Sequence, residues 1–141
     1  MARKHLSVRL DQAVLDRLDA ESQRVGVSRS QLATTLLDEG LRMQRHPGIV
    51  FRPGPTGRRP ALIDGPDLWE VVSVFRNLGD AGEQRVKRTA EIGNLESTQV
   101  RTALRYYAEF QAEVDSWIER VEKESASAEE EWLQEQDMLS R

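Results

Sequence analysis

Leu6, Val8 and Leu10 alternate with His5, Ser7 and Arg9 in the stretch HLSVRLD. This is the period-two pattern of a strand with one apolar and one polar face. Behind Asp11 the period changes: Val14, Leu15, Leu18 and Val25 recur every three to four residues and predict a helix. Asp11 opens it and Gly26 closes it, because glycine takes the left-handed conformation cheaply. Ser28 followed by Gln31 has the form of a capping box. Leu32, Ala33, Leu36, Leu37, Gly40 and Leu41 then give a second helix its apolar stripe. That helix should fade near Arg45, since Pro47 disfavours helical backbone in the residue before it.

Further along, Ile49–Phe51 and Ala61–Ile63 flank the Pro/Gly-rich RPGPTGRRP and predict a small hairpin. Asp64-Gly65-Pro66-Asp67 opens a helix carrying Leu68, Trp69, Val71, Val72, Phe75 and Leu78, which Gly79 ends. A short helix within Gly82–Ile92 is closed by Gly93-Asn94, and the next starts from a cap at Ser97 or Thr98 and presents Val100, Ala103, Leu104 and Tyr107. Val114, Trp117, Ile118 and Val121 continue the stripe into one or two final helices. Trp69, Phe75, Tyr107 and Phe110 are expected in a core. The chain is thus mainly α, with three parts: strand-helix-helix over 1–45, a hairpin plus helices over 46–121, and a tail over 122–141.

The first part cannot stand alone. Modules of this size bury too little apolar surface, and a lone strand leaves a row of unpaired backbone groups. Two copies that pair residues 6–10 antiparallel and interlock their helices remove both problems. The resulting ribbon buries one face and exposes His5, Ser7 and Arg9. A two-stranded ribbon fits the DNA major groove, where arginine contacts guanine with two hydrogen bonds.

KHLSVRLD, QAVLDRLDAESQRV and GVSRSQLATTLLDEGL together closely resemble the ribbon-helix-helix family of DNA-binding proteins, the Arc/MetJ/CopG type, whose dimers share a swapped β-ribbon. The resemblance implies that His5, Ser7 and Arg9, with Lys4 beside them, face double-stranded operator DNA. It also implies that backbone amides from Val27, Ser28 and Arg29, with Ser30 following, grip a phosphate at the start of the second helix, where the helix dipole favours an anion. The middle part resembles a small domain of bacterial antitoxins built as a hairpin followed by a helix-turn-helix. Gly57, Arg58, Pro60, Ile63, Gly65, Val71, Val72 and the stretch TQVRTALRYYAEFQAEVDSWI carry that likeness. A scaffold or a second dimerisation unit is the expected role. Arg52, Arg58 and Arg59 are further candidates for touching nucleic acid.

Charge sharpens the division. Residues 1–59 hold 11 Lys+Arg against 6 Asp+Glu, and the rest hold 9 against 18. A basic front suits a polyanion, and an acidic rear suits a different partner. Between Glu122 and Asp137 stand seven carboxylates and only Lys123. Such a tail forms no core, yet Trp132, Leu133 and Met138, together with Trp117 upstream, offer large apolar anchors. Tails of this kind fold upon a basic partner.

Composition narrows the function. The 141 residues are 38% hydrophobic and 31% charged, with no cysteine and 2 histidines. No thiolate chemistry is available, His5 and His46 have no metal-ligand spacing to a third group, and no cofactor is called for. An enzyme is therefore not expected. No apolar run has the length of a membrane span and no leader pattern opens the chain, so a cytoplasmic protein is expected. Together with the two resemblances, this leads to a type II antitoxin of a toxin-antitoxin system: a homodimer that represses its own operator and neutralises a PIN-like ribonuclease toxin through its C-terminal region. The alternative is a ribbon-helix-helix transcriptional regulator with no toxin partner.

Overall fold

A computed structural model describes residues 3–141. Six helices and one two-stranded antiparallel sheet are present among the described residues: α1 (Gln12–Val25), α2 (Arg29–Arg45), β1 (Ile49–Arg52), β2 (Arg59–Leu62), α3 (Leu68–Asn77), α4 (Gly82–Gly93), α5 (Ser97–Glu109) and α6 (Gln111–Leu139). The fold is mainly α. The chain divides into two compact units, one ending at Gln44 and the other running from Arg45 to Arg141.

In the first unit, residues 3–11 form neither helix nor strand in the single chain. A strand is defined by its ladder, and the expected ladder partner is a second copy. α1 ends where Gly26 turns left-handed at φ 75° and donates to Ser22 O at 3.0 Å. At the start of α2, Ser28 Oγ accepts the Gln31 amide at 3.1 Å, which supplies one of the donors a helix start leaves unsatisfied. Leu32 is the unit's one buried apolar side chain among the described residues, whereas Leu6, Val8, Leu10, Val14, Leu37 and Leu41 are all exposed. Two amphipathic helices are formed, but their apolar faces remain open to water.

The second unit has an ordinary core. β1 and β2 pair with Ile49 opposite Leu62 and Arg52 opposite Arg59, close to the expected hairpin. α3 packs on β2 and on α4, α5 and α6. Leu62, Leu68, Val72, Val100 and Tyr106 are fully buried between these elements. Asp67 opens α3 with a complete capping box, its partner being Glu70. Asn94 closes α4 in the left-handed conformation at φ 52°, a state asparagine tolerates better than most residues.

Two expectations change in detail, and one left open is decided. The cap of α5 is Glu96, which makes the reciprocal box with Gln99, and Ser97 is already the first helical residue. Tyr106 is the fully buried tyrosine and Tyr107 is half-buried. Both lie at helical spacing from Ala103, and a three-to-four period does not separate them. The C-terminal region is one helix of 29 residues, because no glycine or proline interrupts it. The boundary expected after residue 121 falls inside that helix.

Candidate nucleic-acid interface and C-terminal helix

The basic front collects on the segment before α1 and at the start of α2. Arg3 and Lys4 line one wall of an open hollow of about 640 Å³, and Ser30, Gln31, Thr34 and Thr35 from α2 line the other. Two expected residues, Lys4 and Ser30, therefore share one concavity. Arg3 joins them, although the alternation rule starting at His5 did not select it. Its only signal was adjacency to Lys4. Arg3, Lys4 and Arg9 form no ion pair among the described residues, so their charge is available to a polyanion.

His5 Nε2 and Ser7 Oγ lie 2.8 Å apart, as two side chains on one face of an extended segment can. Arg9 is exposed, as are Ser28, Arg29 and Ser30. The Arg29 guanidinium is already held by Asp19 through Nε at 2.6 Å and Nη2 at 2.9 Å. That hydrogen bond holds the Asp19 carboxyl below its ordinary range and the guanidinium above its own. Arg29 is thus fixed as a brace between α1 and α2, and its backbone amide is what faces the helix start.

One expected donor drops out. The Val27 amide donates to Ser22 O at 3.3 Å, and the Val27 carbonyl accepts Ser22 Oγ at 2.5 Å. The turn that ends α1 consumes both polar groups of Val27, so the amides left at the start of α2 are those of Ser28, Arg29 and Ser30.

Two of the three candidate hairpin arginines, Arg52 and Arg59, are structural, and Arg58 is exposed. Arg52 donates to the carbonyls of Gly65 at 2.9 Å and Leu62 at 3.0 Å. Arg59 pairs with Asp67, which also accepts Trp69 Nε1 at 3.3 Å. These bonds fasten the hairpin to the start of α3, and they explain why arginine stands in the turn. Sequence spacing could not show this, because Asp67 is brought close only by the hairpin's closure.

A polar cluster also forms at the other end of the second unit. His46 Nε2 lies 2.6 Å from Glu109 Oε2, Arg45 Nε lies 3.3 Å from the same oxygen, and the His46 ring meets Tyr106 edge-on at 5.2 Å. Among the described residues no group of three His, Cys, Asp or Glu is placed to hold a metal ion.

On α6, Trp117 is half-buried with the Arg120 guanidinium 4.5 Å from its ring centroid. Trp132, Leu133 and Met138 are all exposed. The four residues of the expected C-terminal anchor set are therefore on one helix, but only Trp117 belongs to the packed part of it. No described helix is long and apolar enough to cross a membrane. No family model, no curated protein and no solved structure matches the chain.

Proposed function

We propose that the protein is a type II antitoxin whose first unit dimerises through residues 6–10 to bind operator DNA and repress its own operon. Its C-terminal region neutralises a PIN-like ribonuclease toxin. The observation that carries the reading is the state of the first unit: a strand-patterned segment and two helices with Leu32 as their one buried apolar residue. Uncovered apolar faces of this kind call for a partner, and the alternating segment fits a second copy of itself. The ribbon's other face then carries Arg9, with Arg3 and Lys4 nearby and without an ion pair among the described residues, the charge pattern a phosphate backbone attracts. The seven carboxylates after residue 121 lie on the exposed part of α6, beyond the Val114 and Ile118 that join the core, which suits a basic protein surface. The same first unit fits a regulator with no toxin, and the C-terminal helix separates the two readings.

The test pairs the chain with promoter DNA of its own operon and with the product of the adjacent gene. The full-length protein should bind the promoter and restore growth to cells expressing that product. Truncation after Val121 should preserve promoter binding and lose the rescue. A truncated chain that still neutralises fully would move toxin binding to the hairpin and helices of the second unit. A full-length chain that ignores promoter DNA would end the operator reading.

A further inference from the structure

α6 is longer than the core it serves. Val114 and Ile118 are buried, and beyond Val121 the helix is exposed to its end at Leu139. The three-to-four spacing that begins in the core nevertheless continues, through the small Ser125 and Ala128 to the large apolar Trp132 and Leu139. Ile118, Val121, Ser125, Ala128, Trp132 and Leu139 follow alternating steps of three and four, with Glu135 filling the one step between the last two. This is the a/d pattern of a heptad repeat, in which one seam of the helix faces a partner helix. The exposed part, from Val121 to Leu139, is about 27 Å long at 1.5 Å per residue. Trp132 is 57% and Leu139 is 73% exposed.

Four of the six positions that border the exposed seam are glutamates, and the other two, Gln136 and Met138, are uncharged. Glu122 and Glu129 line one side, and Glu124 and Glu131 line the other, each pair seven residues apart. Such flanking positions set partner choice in coiled coils, because opposite charges there attract and like charges repel. A second copy of this helix would place carboxylates against carboxylates along both sides and bring a second Glu135 into the seam. Self-pairing is therefore disfavoured. Leu133 lies off the seam, so not every apolar residue of the tail belongs to it.

We propose that this seam docks one basic amphipathic α-helix of another protein, with apolar residues at its own a and d positions, Lys or Arg on both borders, and a cationic residue opposite Glu135. The proposal rests on the C-terminal helix being the partner-binding arm, and it specifies what that arm accepts. Ser125 and Ala128 let the incoming backbone approach closely, and Trp132 is the large anchor. A single polar residue inside an apolar seam fixes register, which is the role this assigns to Glu135.

The test uses the full-length protein and a labelled synthetic peptide of three heptads with Leu at a and d, Lys on both borders, and Lys opposite Glu135. A scrambled peptide of the same composition and a version with Glu on the borders serve as controls. The basic heptad peptide should bind at least tenfold more tightly than either control and gain helicity on binding. Trp132→Ala should weaken it at least tenfold, whereas Leu133→Ala should change it less than twofold. Both substitutions lie outside the core and leave the fold intact. Equal binding of the scrambled peptide, or equal losses for Trp132→Ala and Leu133→Ala, would overturn the seam. No toxin enters this measurement, so the two readings fail separately. Seam-selective binding with no toxin to neutralise would end only the antitoxin reading. Neutralisation through the arm without seam selectivity would end only the proposal made here.

Discussion

Val8→Ala is the most direct perturbation of the expected dimer. Val8 is 69% exposed in the single chain, as is Leu6, and Leu10 is 44% exposed. Burying a whole Val or Leu side chain is worth about 1.5–3 kcal/mol, so these exposures leave roughly 1–2 kcal/mol each for Leu6 and Val8, and about 1 kcal/mol for Leu10, to gain on association. Valine to alanine removes two carbon groups at about 0.8 kcal/mol each, of which about 1 kcal/mol remains to be lost at this exposure. A two-fold interface repeats every loss, so the dimer should weaken by about 2 kcal/mol, close to thirtyfold in its dissociation constant. Sedimentation equilibrium over a concentration series measures the shift. Ser7→Ala is the matched control, because its side chain belongs to the other face and the dimer constant should move less than twofold. Val8→Pro should go further and dissociate the module, since proline cannot donate to the ladder. An unchanged dimer constant in Val8→Ala, or equal shifts in Val8→Ala and Ser7→Ala, would refute the reasoning that the segment buries one face against a second copy.

Asp67→Ala should destabilise the second unit by about 2–3 kcal/mol in urea unfolding, from the lost cap of α3 and the stranded Arg59, and Asp67→Asn, which keeps a capping oxygen, should cost less. Tyr107 donates to Asp115 Oδ1 at 2.6 Å, and burial first, then this carboxylate, raise its phenol above the ordinary value. The folded state therefore holds its proton longer than the unfolded chain does, so this contribution to stability is complete below the unfolded value of about 10 and is lost as pH rises through the folded one. Absorbance titration should place the phenolate transition above 10, and Asp115→Asn should bring it down; an unmoved midpoint would contradict the account of that pair.

Much of the fold is legible because its signals are local. Gly26, Asn94 and Asp67 mark helix ends through backbone and side-chain chemistry that needs nothing distant. The hairpin is visible from two apolar runs around a Pro/Gly turn. What stays hidden depends on closure in space. The service of Arg52 and Arg59 to the start of α3 requires the hairpin to fold first, and the Arg29–Asp19 brace requires α1 and α2 to come together. Glu96 takes the cap from Ser97 because Gln99, three residues on, completes the box from Glu96. The alternation of Leu6, Val8 and Leu10 is plain in the sequence, yet a single chain gives it nothing to pair with. The heptad continuing from Ile118 to Leu139 is also written in the residues. It becomes readable once α6 is known to run unbroken, since the acidic composition of the tail otherwise suggests only a solvated segment.

In the proposed operator complex, residues 5–9 read DNA from one face of a shared ribbon. Binding of the full-length protein and of Arg9→Ala to promoter DNA and to a scrambled duplex, at one fixed salt concentration, tests this most directly. A two-bond arginine contact to guanine carries roughly 1–3 kcal/mol of discrimination. Arg9→Ala should therefore lose five- to 150-fold on the promoter and far less on the scrambled duplex. Ser28→Ala, placed at the helix start proposed to grip phosphate, should weaken both about equally. Equal losses on the two duplexes for Arg9→Ala would mean that the ribbon face supplies charge and does not read sequence.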